Sequence, residues 1–431
     1  MNRRHPDPLK SLDFRRLVGA RVSNEFSQSM MGLSITVLLV AWTGEATLAG
    51  VCLGVYTACL ILCQVVSGTI VDRVRADRAL RWSAATQAVG WGVVLIGALG
   101  HENRAFCTGM IILGAIIGGT ASGLDGPAEF ALTRQLVPKE DFQKASAVAQ
   151  GRESVATTSG DPIAGVLSSI TTTLPLIIQI VFSTLAALLV PTPTRRTPPE
   201  SPSESPGGAF ASFVEDVKEG YRFVFRDSGL RALALIAGIS NFAMALLPLT
   251  LLMHFTAAGE APWKLGILSA MMGLVMIAGA WFAGKFADRF SFFLAGILAL
   301  GGELIGALLF MGTLHSLVLT CLVFVVECFF LPLFNSGFGA YMAFACTDEN
   351  EGRVSAATGA LGMVLMPLGS IASGLLLDRF GALPGLWICA IIFAVCLCLM
   401  VGSTSFRRMP RYAEMAAQEK EGQEENAPDA V

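Results

Sequence analysis

The chain has 431 residues, 53% of them hydrophobic and only 15% charged, with a mean hydropathy of +0.62 and a formal net charge of −3. That is too little polar surface to coat a soluble protein of this length, so an ordinary water-soluble globular protein is excluded and a polytopic membrane protein is expected. The small net charge decides little by itself, because in a membrane protein the distribution of Lys and Arg matters more than their sum.

The opening Met1-Asn2-Arg3-Arg4-His5-Pro6-Asp7-Pro8 precedes an apolar run far longer than a signal-peptide core and without a small-residue cleavage pattern, so the first run is expected in the mature protein. A helix crossing the hydrocarbon layer needs about 20 residues. Twelve runs meet that need: Leu17 to Trp42, Ala46 to Ile70, Leu80 to Leu99, Ala105 to Leu124, Ala145 to Thr171, Leu174 to Val190, Leu230 to Phe255, Leu265 to Phe286, Phe292 to Met311, Leu317 to Tyr341, Val354 to Leu377 and Leu383 to Ser403. Between the sixth and seventh, Pro191 to Gly208 carries six prolines among Ser, Thr and Glu and cannot build a core, so it reads as an extended linker. Phe210, Phe213, Val214, Val217, Tyr221, Val224 and Phe225 then recur at helical spacing opposite charged residues, which predicts an amphipathic helix on the inner membrane face. The division predicted is residues 1–16 as an N-terminal segment, 17–190 as one six-helix bundle, 191–229 as the linker, 230–403 as a second bundle and 404–431 as a disordered acidic tail. If the N-terminus is cytoplasmic, the outer loops hold only Arg104, Lys264 and Arg379, while Arg73, Arg75, Arg78, Arg81, Arg134, Lys139, Lys144, Arg195, Arg196, Lys285, Arg289 and Arg353 lie inside. The positive-inside rule then places both termini in the cytoplasm.

Two turns repeat across the halves. Gly68-Thr69-Ile70-Val71-Asp72-Arg73 joins spans two and three, and Gly284-Lys285-Phe286-Ala287-Asp288-Arg289 joins spans eight and nine. Lys144-Ala145-Ser146-Ala147 likewise has its counterpart in Arg353-Val354-Ser355-Ala356. Duplicated bundles around a central path are a transporter architecture.

Carboxylates inside spans cost roughly 2.5 to 3.5 kcal/mol each at the membrane centre, so Glu25, Asp125, Asp161, Glu303 and Glu327 are expected to line an interior cavity rather than face lipid. Such groups can take up and release protons, as a proton-coupled carrier requires. A structural role as a hydrogen-bonding partner between helices weighs evenly with function for Asp125 and Glu153, which sit near one membrane face beside Arg152, whereas function is the favoured reading for Glu25, Asp161, Glu303 and Glu327. In span five, Gly160-Asp161-Pro162-Ile163-Ala164-Gly165 predicts a bend and a close helix approach. Gly114, Gly118, Gly119 and Gly123 in span four read as a packing face. Nine of the ten cysteines lie in apolar runs without metal-type pairing, and there is no phosphate loop, nucleotide fingerprint or nucleophile elbow. No metal and no cofactor is expected.

The G-x-x-x-D-R turn, once per half, resembles the signature loop of the major facilitator superfamily. Pro127 to Leu132, Leu136 to Asp141, Gly352-Arg353-Val354 and Phe14-Arg15-Arg16-Leu17 with Arg21 resemble its macrolide-efflux and siderophore-exporter branch. The resemblance implies an all-α fold of twelve transmembrane helices in two pseudo-symmetric bundles, with Pro127 to Asp141 as the loop between spans four and five. It also implies a conformational latch built on Gly68, Asp72, Arg73, Gly284, Asp288, Arg289 and Arg353, and a Gly160, Pro162, Gly165 bend like the Gly-Pro motif of the antiporters. The chain departs from the pattern at Arg75, where glycine is usual, and at Ala76 and Asp77, where basic residues are. The implied function is proton-coupled efflux of a hydrophobic or amphipathic small molecule from the cell's inner membrane by a monomer, whose partners are substrate, protons and lipid, with no nucleic acid. The rivals are a dedicated exporter of a siderophore or other metabolite, an importer, and a non-transporting sensor or membrane enzyme on the same fold.

Overall fold

A computed structural model describes residues 11–100, 103–138, 141–192, 218–345 and 351–407. The chain is all-helical. In order, α1 (Leu12–Ser29) and α2 (Met31–Thr43) form span one, followed by α3 (Ala46–Arg73) and α4 (Ala76–Leu99). Span four comprises α5 (Arg104–Ser122) and α6 (Asp125–Leu136), and α7 (Phe142–Ile170) and α8 (Leu174–Leu189) complete the first half. The second half contains α9 (Ser228–Ala257), α10 (Pro262–Phe286) and α11 (Phe292–Thr313), then α12 (Leu317–Glu327) and α13 (Leu331–Ala345) as span ten. It ends with α14 (Glu351–Met363) and α15 (Met366–Phe380) as span eleven and α16 (Ala382–Gly402). Among the described residues, ten spans are long and apolar enough to cross a membrane. With α7, which is long but more polar, and the 16-residue α8, they make the twelve.

Two expectations change. Spans one, four, ten and eleven are each two helices rather than one; in span one the ladder breaks at Met30, whose own side chain does not cap the new N-terminus of α2. The stretch from Pro127 to Leu136 is not a loop but most of α6, which extends span four to Leu136. The amphipathic segment is described only from residue 218, where 218–226 are helical; the linker before it and the tail after Arg407 lie outside the described residues.

The chain forms two compact units. The first holds the described residues up to 192 together with Pro248–Ala270 and Met366–Gly381, and the second holds the rest. In the first, Ile35, Leu38, Leu39, Trp91, Leu176 and Met253 belong to one buried apolar cluster. Glycine sets how closely its helices approach. A β-carbon built on Gly90 would fall 3.1 Å from the Gly114 carbonyl oxygen, and one on Gly123 would fall 2.7 Å from that of Leu60, so the predicted glycine face of span four packs on α3 and α4. Pro162 lies inside the unbroken α7. Gly160 abuts Ser29, and Gly165 and Gly266 bring α7 and α10 into backbone contact. In the second unit, α11 packs along α16 and against α12 and α13, where Phe292 stacks on Phe334 with centroids 5.1 Å apart.

Candidate functional site: a buried ion cluster

Arg21, Asn24, Glu25 and Gln28 are spaced three and four residues apart, so helical geometry puts them on one stripe of α1. Asp125 and Glu129, four apart, form a stripe on α6; Ser83 and Gln87 do the same on α4, and α7 contributes Arg152. These stripes converge inside the first unit.

Arg152 donates from Nε to Glu25 at 2.8 Å and its terminal nitrogen lies 2.8 Å from the other Glu25 oxygen and 2.7 Å from Glu129. Arg21 donates from Nε to Glu129 at 2.7 Å and reaches Glu25 at 3.5 Å. Two guanidiniums and two carboxylates thus close a ring in which the charges cancel, and the planar forks give it geometric definition. Asp125 stands beside the ring. A terminal nitrogen of Arg21 is 3.4 Å away but makes no hydrogen bond to it. The donors to Asp125 are neutral: Ser83 at 2.5 Å, Asn24 at 2.8 Å, Gln28 at 2.6 Å and Gln87 at 3.0 Å. Asp125 is 4% exposed, so the cluster carries three carboxylates against two guanidiniums where water cannot screen the excess. Next to it lies a cavity of about 190 Å³, lined by Phe14, Phe130, Phe142, Glu129 and Arg152 among others. The Phe130 and Phe142 rings meet edge to face at 5.4 Å.

Of the other predicted carboxylates, Asp161 accepts the backbone N–H of Leu33 at 3.3 Å. Leu33 is the third residue of α2, so Asp161 supplies from α7 the cap that Met30 cannot. Glu303 on α11 and Glu327 at the end of α12 belong to the second unit and are 2% and 8% exposed. Gly306 lets α11 press against the Glu327 side chain, and one Glu327 oxygen has no hydrogen-bond partner. Among the described residues neither has an ion-pair partner.

The side chains of Gly68, Asp72, Arg73 and Arg353 lie outside the described residues, although α3 runs through Arg73. The neighbouring departures compensate one another: Arg75 forks onto Asp77 at 2.9 and 3.1 Å. In the second turn, Asp288 and Arg289 are exposed in a short 3₁₀ turn, Arg289 lies 5.2 Å from the Phe286 ring centroid, and nothing stands within 4 Å of a β-carbon on Gly284. Glu129 escapes a reading of the sequence because its stretch resembles a loop, and Ser83, Asn24, Gln28 and Gln87 escape it because neutral polar residues are unremarkable singly. The signal was available in the helical spacing of polar residues within an apolar run.

A twelve-span all-helical chain in two halves is a polytopic membrane protein of transporter architecture, and comparison supplies the family. The profile of the Major Facilitator Superfamily matches residues 17–370, and the chain belongs to that superfamily. Macrolide efflux protein A of Streptococcus pyogenes is 24% identical over 328 residues, covering 73% of this chain and 76% of that protein. Among solved structures, a bacterial homologue of the iron transporter ferroportin in its inward-facing state superposes with a TM-score of 0.68 at 12% identity, over 90% of this chain and 97% of that one. A POT family transporter in complex with 5-aminolevulinic acid superposes at 0.70 and 11% identity, over 90% and 94%.

Proposed function

We propose that this transporter exports an amphipathic small molecule in exchange for protons, by alternating access, from the inner membrane and with both termini in the cytoplasm. The observation that carries the reading is the excess carboxylate of the buried cluster. A ring of two guanidiniums and two carboxylates is electrically complete, whereas Asp125 is solvated by four neutral donors and has no hydrogen-bonded cation. The cluster as a whole holds one carboxylate more than it has guanidiniums, and a buried excess charge costs several kcal/mol, a cost that a proton or the cationic group of a substrate bound to the cluster removes. Two ligands that neutralise the same charge exclude each other, which is the coupling an antiporter needs. The aromatic-lined cavity beside Glu129 and Arg152 offers apolar surface for the rest of such a molecule. The similarity to a macrolide efflux protein supports export of a bulky amphipathic compound over a dedicated metabolite.

The test is Asp125→Asn in proteoliposomes with an imposed pH gradient, assayed with lipophilic amine probes. Gradient-driven uphill movement is expected to fall to background while binding of the probe, measured in parallel, remains detectable through its apolar contacts. Uphill pumping at the parental rate overturns the assignment. A second reading, that coupling resides in the second unit, is favoured by the unpartnered oxygen of Glu327. In that case Glu327→Gln loses coupling and Asp125→Asn keeps it. Glu25, Asp161 and Glu303 are next in the same assay.

A further inference from the structure

Span two begins at Ala46 without a cap of its own: Glu45, the preceding residue, makes no capping hydrogen bond, and its carboxylate pairs instead with Arg104 at 2.5 Å. The free N–H groups of the first turn are taken by a residue 332 positions away. Asp378, at the end of α15 in span eleven, accepts the N–H of Ala46 at 2.9 Å with one oxygen, and with the other accepts the N–H of Thr47 at 2.7 Å and its hydroxyl at 2.6 Å. A carboxylate at a helix N-terminus satisfies orphan donors and meets the positive end of the helix dipole. Below it, α3 and α15 touch through glycine. A β-carbon on Gly50 would fall 2.6 Å from the Ser370 carbonyl oxygen, and one on Gly374 would fall 2.8 Å from the Thr47 α-carbon.

We propose that Asp378 is a conformational latch that holds spans two and eleven together on the membrane face opposite the N-terminus and lets go once per transport cycle. It rests on the alternating-access reading above. The two spans come from different halves of the chain, so a carrier that opens this face must part them. The contact suits that task. Its donors belong to the end of one helix and its acceptors to a single side chain that is exposed, so water enters and replaces all three bonds as the helices separate. The glycines let the two backbones approach closely, and Ile371 of span eleven packs into the space that Gly54 leaves on span two. This latch stands on the face opposite the Asp72 turn.

The experiment uses the full chain in lipid nanodiscs, with the exposed Cys398 replaced by serine and spin labels at Ala105 and Phe380, both exposed and close to the two helix ends. Asp378→Asn keeps the bulk and loses the charge. It is expected to raise the population at long label separation about three- to tenfold, the range that losing one charged helix cap implies. Thr47→Val removes one bond of the three and is expected to shift the distribution in the same direction by less; if Asp378→Asn does not assemble, Thr47→Val decides. Distributions that superpose on the parent overturn the latch, whatever transport the same protein shows. A shifted distribution in a protein that pumps nothing leaves the latch standing and overturns the export reading.

Discussion

Arg152 is the residue on which the ion cluster closes, because it alone binds both oxygens of Glu25 and also reaches Glu129. Removing it leaves two buried carboxylates sharing one remaining guanidinium, and breaking a buried pair from one side costs about 3 to 5 kcal/mol. Arg152→Ala is therefore expected to lower the thermal denaturation midpoint of the detergent-purified protein markedly. The double variant Arg152→Gln with Glu25→Gln, which removes one charge of each sign, should recover part of the loss. Equal midpoints for Arg152→Ala and the parent would show that the ring contributes nothing to folding. Lysine is not an equivalent replacement, since it offers a point charge where the ring uses a planar fork. The carboxylates at this scale were legible as expensive residues inside apolar runs. Their grouping was not, because Glu25 lies 100 residues before Asp125 and 127 before Arg152, and no spacing rule joins three different helices.

At the scale of elements, glycine decides which helices come together. Gly266 lies so close to α7 that a β-carbon there would be 2.9 Å from the Pro162 α-carbon and 3.1 Å from its carbonyl oxygen, both backbone atoms that cannot rotate away. Gly266→Leu is expected to cost at least the 1 to 3 kcal/mol typical of overpacking, read as loss of monodisperse protein after mild heating. Gly284→Ala is the counterpart: it is part of the signature turn, but the space beside it is open, so its stability should match the parent. If Gly284→Ala destabilises as much as Gly266→Leu, packing is not what distinguishes the two positions. The spans themselves were readable from apolar length, and so was the glycine face of span four. The breaks were harder. Span one divides at Met30 because Asp161 on another helix caps α2 from outside, an arrangement with no local sequence signature. The extension of span four to Leu136 was hidden because Asp125, Glu129 and Arg134 look like loop charges until their partners are known. Two of those three are buried or nearly so, with Glu129 held by both arginines.

For the whole molecule, the two proposals meet in the direction of transport. The ion cluster and its cavity lie toward the end of span one where the chain begins, since Phe14, Leu17 and Arg21 are in the first three turns of α1. The Asp378 contact lies at the opposite end, beside the start of α3. A site near one face and a latch on the other are what a two-gate carrier needs, because the gate remote from the site must stay shut while the site fills and open only after it has been neutralised. This order has a meaning for export only if the N-terminal face is cytoplasmic, the orientation proposed above from the concentration of Lys and Arg on that face. Single cysteines at Asn103 and Ala258, exposed next to the ends of spans three and seven, are expected to react with a membrane-impermeant maleimide added to intact cells. Cysteines at Arg78 and Asp288, exposed on the opposite face, should react only after the membrane is opened. The reverse pattern would put the cavity outside the cell and turn the exporter into an importer with the same machinery, whereas labelling of all four sites in intact cells would show that the chain is not inserted as a single oriented population.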